Sequence, residues 1–322
     1  MDGCGRQNVR VSIYLMQYID TYQTAPLSEH ADVRHNQDTE SDVSAGQQQP
    51  SDTLEPGRFR LHVIASDSSG NASVLETATT CVMIDCGISK KRFMEGCDAV
   101  GFDPSRISSV IVTHEHSDHT SGLGRTLRGL RKLGCVPTIY TTRGTFSSSN
   151  ELQTLDGDFP IEFITHSQDL LLGDIHVQFV PTSHDAADPL CMAFETAGPL
   201  RNDVLGFVTD TGVFPDGVTK LLDDARILAL ESNHDEHMLV TGPYHASLKR
   251  RVGGERGHLS NAQSDTALES LLSDSLETVI GMHLSRKNNQ PSLARSGFEQ
   301  ILEQNNHSAR VLLGSKDRSL SL

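Results

Sequence analysis

The sequence contains no tryptophan and only five tyrosines, so its core must rest on Val, Ile, Leu, Met and Phe. With 322 residues the chain can bury one large core or two small ones. Positive charge is scarce as well: 27 Lys and Arg stand against 42 Asp and Glu, a net of −15. That balance argues against a general nucleic-acid coat, because phosphate contacts need Lys and Arg. No CxxC pair occurs among Cys4, Cys81, Cys86, Cys97, Cys135 and Cys191, and their spacing gives no disulfide framework. They read as reduced thiols, several of them buried as small apolar residues. No run is long and apolar enough to span a bilayer. The nearest approach to a signal core, residues 9–19, is interrupted by Ser12 and Gln17, meets Asp20 and lacks an A-x-A site. A cytoplasmic location is therefore expected, and oligomeric state is left open.

What is present is unevenly distributed. Residues 1–57 hold nine acidic and three basic residues. From 21 to 56 the composition, which includes AGQQQPSD, cannot bury enough apolar surface to offset the entropy of ordering. An acidic, disordered extension over 1–57 is expected, followed by one folded domain over 58–322. Residues 9–22 are compatible with a short helix, a strand or a translated leader. In the folded part, positive charge gathers at Arg125, Arg128, Arg131 and Lys132 and again at Lys249, Arg250, Arg251 and Arg256. A basic lip on an acidic body is thus possible.

Apolar runs bounded by turn residues predict strands at 59–65, 72–80, 81–85, 107–113, 138–142, 161–164, 174–181, 191–196, 205–209, 226–230, 278–281 and 310–313. Helical spacing predicts helices at 89–100, 122–134, 236–251, 260–273 and 290–304, with Ser260 as an N-cap and Pro291 in a first turn. The first half is β-rich and the second half mixed, with no repeat. This order fits an α/β (α+β) domain in layers.

The strongest chemical signal is SVIVTHEHSDHTSG, residues 109–122. A buried strand runs out at Thr113 and delivers His114, His116, Asp118 and His119 within six residues. Imidazole and carboxylate in this mixture suit a divalent transition metal. Three further candidates each follow an apolar strand: His184 in VQFVPTSHD, Asp210 in GFVTDTG and His283 in TVIGMHLS. Taken singly, a strand-end His or Asp is more often a solvated turn residue. Together they describe one site built at one edge of a layered sheet.

The pattern HxHxDH, followed by a strand-end His, a strand-end Asp and a late strand-end His, resembles the metallo-β-lactamase superfamily. The blocks SSGNA, VTHEHSDH, SHDAADP, ESNHD, GPY and RGHLSN resemble the YycJ/WalJ-type metallo-hydrolases in order and separation, over 58–313. Asp67 departs from the family, which usually has a glycine in that turn. The resemblance implies a four-layer αββα sandwich with a dinuclear centre. His114, His116 and His184 would hold one metal, Asp118, His119 and His283 the other, and Asp210 would bridge them. Zinc is the default metal, and manganese or iron also suits this N/O ligand set.

A second His-Leu-Ser, in ERGHLSNAQ, differs in context from the one at His283. His258 follows a Gly-rich loop and precedes a helix, and GHLSNAQSDTALESLL resembles a segment of the RNase Z branch. There the histidine is held by a Glu from an earlier strand and protonates the leaving group; Glu231, at the end of ILALE, matches that Glu. A carboxylate bonded to imidazole favours the charged ring and fixes its tautomer, as a general acid needs. The plainer alternative is that His258 only closes the loop or caps the helix.

Weaker candidates remain open between substrate contact and local structure: His234 and Asp235 at a helix entry, Ser68, Ser69 and Asn71 in the first turn, and Asn261 beside His258. Asp185 is a candidate to orient the neighbouring ligand. Tyr244 with Lys249–Arg251 offers a grip for a nucleic-acid backbone, although charge runs on helices are usually only solvated. The resulting expectation is a dinuclear phosphodiester hydrolase with Asp118, His258 and Glu231 as catalytic residues, and the resemblance points to a 5′-3′ DNA exonuclease. The alternatives are a cyclic or other small-molecule phosphodiesterase, another hydrolase on this fold, and a non-catalytic binding protein.

Overall fold

In the computed structural model residues 54–196 and 202–322 are described. The disorder expected over 1–57 falls, except for its last four residues, outside the described residues. Two seven-stranded sheets face each other. The first comprises β1 (Arg60–Ala65), β2 (Ala72–Glu76), β3 (Cys81–Ile84), β4 (Ser109–Ile111), β5 (Thr138–Thr141), β6 (Ile161–Phe163) and β14 (Leu320–Ser321), in the order β14-β1-β2-β3-β4-β5-β6. The second comprises β7 (Leu170–Leu172), β8 (Ile175–Pro181), β9 (Leu190–Thr196), β10 (Asp203–Val208), β11 (Ile227–Glu231), β12 (Thr278–Met282) and β13 (Arg310–Leu313), in the order β13-β12-β11-β10-β9-β8-β7. Strands β3 to β6 run parallel, as do β10 to β13.

Period-two alternation sorts the side chains into three apolar interfaces, and these define four layers. Leu61 and Val63 of β1 meet Ile175, Val177 and Phe179 of β8 and Ile227 and Ala229 of β11 between the sheets. Ile64 of β1 and Met83 of β3 point the other way, onto Phe93 and Cys97 of the helix Lys90–Ala99 and Leu123, Leu127 and Leu130 of the helix Leu123–Lys132. Leu228 and Leu230 of β11 turn outward onto Leu268 of the helix Asn261–Ser270 and Phe298 and Leu302 of the helix Pro291–Gln304. Burying each such large side chain contributes on the order of 2–3 kcal/mol. The αββα sandwich expected from the sequence is the architecture observed.

Differences from the predicted elements have local causes. The strand expected over 72–80 stops at Glu76, because Thr77 Oγ1 accepts from the backbone N–H groups of Thr79 and Thr80 and turns the chain. The helix expected over 236–251 is two helices, Glu236–Thr241 and Ala246–Val252. Pro243 disfavours helical backbone at the preceding Gly242, whose ψ is 178°. Helix Asn261–Ser270 starts at a capping box: Ser260 Oγ accepts from Gln263 N, and the Gln263 side chain accepts from Ser260 N.

Candidate metal centre

Parallel strands open a crevice at their carboxyl ends, the usual ligand edge of such sheets. Strand ends β3, β4, β10, β11 and β12 deliver Asp85, the Thr113–His119 segment, Asp210, Glu231 and His283 to that edge. Asp85, Asp210 and His283 adopt φ of 55°, 57° and 57°. Left-handed backbone is unusual for residues other than glycine and costs about 1–3 kcal/mol each, so its concentration at three pocket side chains marks a built site.

Four groups of metal-binding residues have ligand atoms within 4.8 Å of one another among the described residues: His114, His116, His184; Asp118, His119, His283; His114, His119, Asp210; and Asp210, Glu231, His258, His283. His184 Nε2 lies 3.2 Å from His116 Nδ1, and His283 Nε2 lies 3.2 Å from Asp118 Oδ2. Such separations suit two donors on one tetrahedral ion at about 2.0–2.2 Å each. Asp210 touches both sets. Its Oδ2 is 3.3 Å from His119 Nε2, and its Oδ1 is 3.5 Å from His283 Nε2 and 3.9 Å from His184 Nε2. Buried His114 Nε2 and Asp210 Oδ2 make no hydrogen bond, so each has a lone pair free for a metal. The donor set fits a dinuclear centre.

The other ring nitrogens are fixed by partners, as metal-binding histidines require. His119 Nδ1 donates to Asp85 Oδ2 at 2.8 Å, and His184 Nδ1 donates to the Gly257 carbonyl at 2.9 Å. Thr113 Oγ1 donates to Asp85 Oδ2 at 2.7 Å and so accepts from His114 Nδ1 at 3.0 Å. These bonds turn each Nε2 into the pocket.

Electrostatics divide the imidazoles. Burial pushes His114 well below its ordinary pKa, with the charge of His119 adding to the effect, so this ring is in its ligand form. Burial opposes charge on His283 too, yet Asp210, Asp118 and Glu231 carry it up to about 10. Burial also acts against His119, but Asp210, Asp85 and Asp118 raise it well above its ordinary value. For Asp210 burial again disfavours the charge, and the neighbouring His283 and His119 overcome it and hold the carboxyl well below its usual range.

Glu231 is 0% exposed. Its Oε1 accepts from His258 Nδ1 at 2.7 Å and lies 3.3 Å from His283 Nδ1, while its Oε2 accepts from Thr211 N at 3.0 Å and Leu259 N at 3.3 Å. One carboxylate therefore reaches both His-Leu-Ser histidines. The partner expected for His258 alone also touches the ring of His283.

The weaker candidates separate by burial. His234 is 2% exposed, and burial takes its ring down to about 4, so it is neutral and shielded from solvent. Asn261 joins a buried network with Ser232 Oγ and the Asn289 amide. Asn71 N donates to Asp118 O at 2.8 Å, and its side-chain nitrogen sits 3.2 Å from His119 Nε2, which ties it under the ligand loop. Ser69 is exposed, its N and Oγ donating to Asp67 Oδ1 and its Oγ accepting from Lys316 Nζ. Asp235 caps the helix Glu236–Thr241 by accepting from Met238 N. Asp185 Oδ1 lies 3.8 Å from His116 Nε2 and 3.6 Å from His184 Nε2, and the carboxylate holds Arg251. Asp67 does not occupy left-handed backbone; its Oδ2 accepts from Arg286 Nε at 2.5 Å. On the basic helix Leu123–Lys132, Arg128 and Arg131 pair with Asp158, and Arg131 stacks on Phe159.

Sequence reading missed Asp85, Asn233 and Arg286. Asp85 directly follows the apolar strand CVMI, as Asp210 follows β10 after one threonine, so the rule that found Asp210 was available for it. Asn233 donates to the His283 carbonyl at 2.8 Å, and nothing in its local sequence announces that role.

Comparison with known proteins agrees with this geometry. The Beta-lactamase superfamily domain matches residues 80–283. Exodeoxyribonuclease YycJ of Bacillus anthracis is 34% identical over 249 residues, 76% of this chain and 90% of that protein. Exodeoxyribonuclease WalJ of Streptococcus pneumoniae is 31% identical over 251 residues, 76% of this chain and 89% of that protein. The metallo-β-lactamase fold protein YhfI from Bacillus subtilis superposes with a TM-score of 0.60 at 16% identity, covering 82% of this chain and 99% of that one, which is a likeness of fold.

Proposed function

The chain belongs to the metallo-β-lactamase superfamily, and from that premise we propose that it is a metal-dependent phosphodiester hydrolase working as a 5′-3′ exonuclease on DNA. The observation that carries this reading is the His258–Glu231 pair. An imidazole whose Nδ1 is committed to a buried carboxylate at 2.7 Å leaves Nε2 as the nitrogen that can give up a proton. Carboxyl-type substrates have less need of such a group, whereas an alkoxide leaving a phosphodiester needs a proton. The exodeoxyribonuclease names of both relatives support DNA as the substrate.

Two divalent ions in the His/Asp set, zinc by default with manganese or iron also suited, supply Lewis acidity and lower the pKa of bound water. His114, His116 and His184 would hold one, Asp118, His119 and His283 the other, and Asp210, which reaches both sets, would serve both. Asp118 is partly exposed to the pocket and orients the attacking water and takes its proton. His258 Nε2 gives a proton to the departing oxygen, and Glu231 fixes the ring so that this proton points into the pocket.

A small phosphodiester is the second reading, favoured by the net charge of −15. Cleavage of 5′-labelled single-stranded DNA, duplex DNA, RNA and a cyclic phosphodiester separates the two. Release of mononucleotides from the 5′ end of DNA, weakening steeply with salt and lost in Asp118→Ala, is the expected result. Salt-insensitive turnover of the cyclic diester with intact DNA would replace the exonuclease by the second reading.

A further inference from the structure

Beside the metal pocket, helices Glu236–Thr241 and Ala246–Val252 form a hairpin whose role the site chemistry leaves unexplained. It is coupled directly to the acid loop, because His258 N donates to the Val252 carbonyl at 2.9 Å. Arg251 leans from it toward the pocket. Its guanidinium bonds both oxygens of Asp185, whose Oδ1 is 3.6 Å from the pocket nitrogen of His184. Arg256, past the hairpin, donates twice to the His184 carbonyl, at 3.2 and 3.1 Å. From the opposite side Lys287, four residues beyond His283, places Nζ 5.6 Å from the Tyr244 ring centroid at the hairpin turn. Arg251 and Lys287, 36 residues apart in sequence, thus both touch elements of this hairpin on an acidic protein. On the other basic helix Arg128 and Arg131 are engaged by Asp158 and Phe159. On the same hairpin Val240 is 71% exposed, an apolar tip beside the cations.

We propose that this hairpin, with Arg251, Lys287 and Tyr244 as its contact residues, is the track on which a single nucleic-acid strand lies as its end enters the metal pocket. The inference rests on the phosphodiesterase reading and deepens it. The chemistry is that of single-strand binding: cations for the phosphate backbone, together with a tyrosine ring whose face accepts any base. Arg251, clamped by Asp185, is prepositioned for the phosphate next to the reacting one, since a planar guanidinium held on one edge still offers donors on another. Lys287 over the Tyr244 ring keeps that ring at the rim.

The test measures binding of a fluorescent phosphorothioate single strand to the metal-loaded protein by anisotropy, as a function of salt. Removing two phosphate contacts in Arg251→Ala/Lys287→Ala is expected to cut the salt slope by about 1.4 and weaken binding about 25-fold at about 0.1 M salt. Tyr244→Ala is expected to weaken binding about tenfold at an unchanged slope. Arg128→Ala is expected to bind like wild type, and every variant to retain its metal. The proposal is overturned if the double variant keeps wild-type affinity and slope, if Arg128→Ala loses as much, or if the loss follows metal loss. Wild-type protein that binds this strand but leaves the same strand with ordinary phosphodiester linkages uncut would sink the exonuclease reading and leave the track standing; wild-type protein that does not bind it sinks the track.

Discussion

Replacing Glu231 by Gln keeps the shape of the side chain and removes its charge. In the native pocket Oε1 faces His258 Nδ1 at 2.7 Å and His283 Nδ1 at 3.3 Å, and Oε2 accepts from two backbone N–H groups. An amide offers one oxygen and one NH2 group, so one of these two pairs of donors must face a donor. A hydrogen bond to a charged group contributes about 1.5–3 kcal/mol. Half of the damage falls on His283, and loosening the support of a ligand typically lowers metal affinity about 10–100-fold. The other half falls on His258, and loss of a positioned acid costs about 10²–10⁴-fold in rate. Glu231→Gln is therefore expected to lose both turnover and one metal. His258→Ala should lose a comparable factor in rate and keep both. Metal content after dialysis against a competing chelator, and kcat on a short DNA strand whose leaving group is an alkoxide, measure the two effects separately. In the double variant the rate should fall little below that of Glu231→Gln, while the metal deficit persists. If Glu231→Gln binds both metals like wild type, the contact to His283 carries no energy and the shared-carboxylate reasoning is wrong. If His258→Ala sheds a metal, His258 is a ligand and not the acid.

Gly87 lies where a Cβ would come within 1.7 Å of the Asp118 carbonyl and 2.7 Å of His119 N. Gly87→Ala should displace the ligand loop, costing about 1–3 kcal/mol or more and the metal held by Asp118 and His119, read by thermal unfolding and metal analysis. Asp265 has an oxygen without a hydrogen bond, and burial raises its carboxyl to about 6. Because the folded state holds that proton more tightly than the unfolded chain, stability falls as pH rises from about 4 to 6. Asp265→Asn should accordingly raise stability by about 1–2 kcal/mol at pH 7.5, discounted for partial exposure, and by little near pH 4; an equal gain at both pH values would contradict this. Chelation should abolish turnover and lower the Tm. Because His119 and His283 are held protonated without metal, reloading near pH 7 should release up to about two protons per chain, measured as a buffer-dependent heat of binding.

The candidate ligands were legible because they follow apolar runs: His114, His116, Asp118 and His119 after one, and His184, Asp210 and His283 each after another. Alternation in IHVQFVP and the apolar run ILAL mark the strands, and a His or Asp within the first three residues past the strand is delivered to the sheet edge. The same local chemistry set the capping box at Ser260, and it would have split the helix at Gly242–Pro243 had the pair been given its weight. Other features depend on pairings that no local pattern encodes. Asp85 reaches His119 across 34 residues, because β3 and β4 lie side by side in register. Glu231 meets both His258 and His283 because β11 pairs with β12 while the acid loop folds back over their ends. Asp67, a departure from its family in sequence, becomes the anchor of Arg286, 219 residues away. Sequence alone determined which side chains reach the carboxyl edge, since propensity and alternation act over a few residues. Only the tertiary structure decided which of them share a partner, because strand order and register set the distances between residues far apart in the chain.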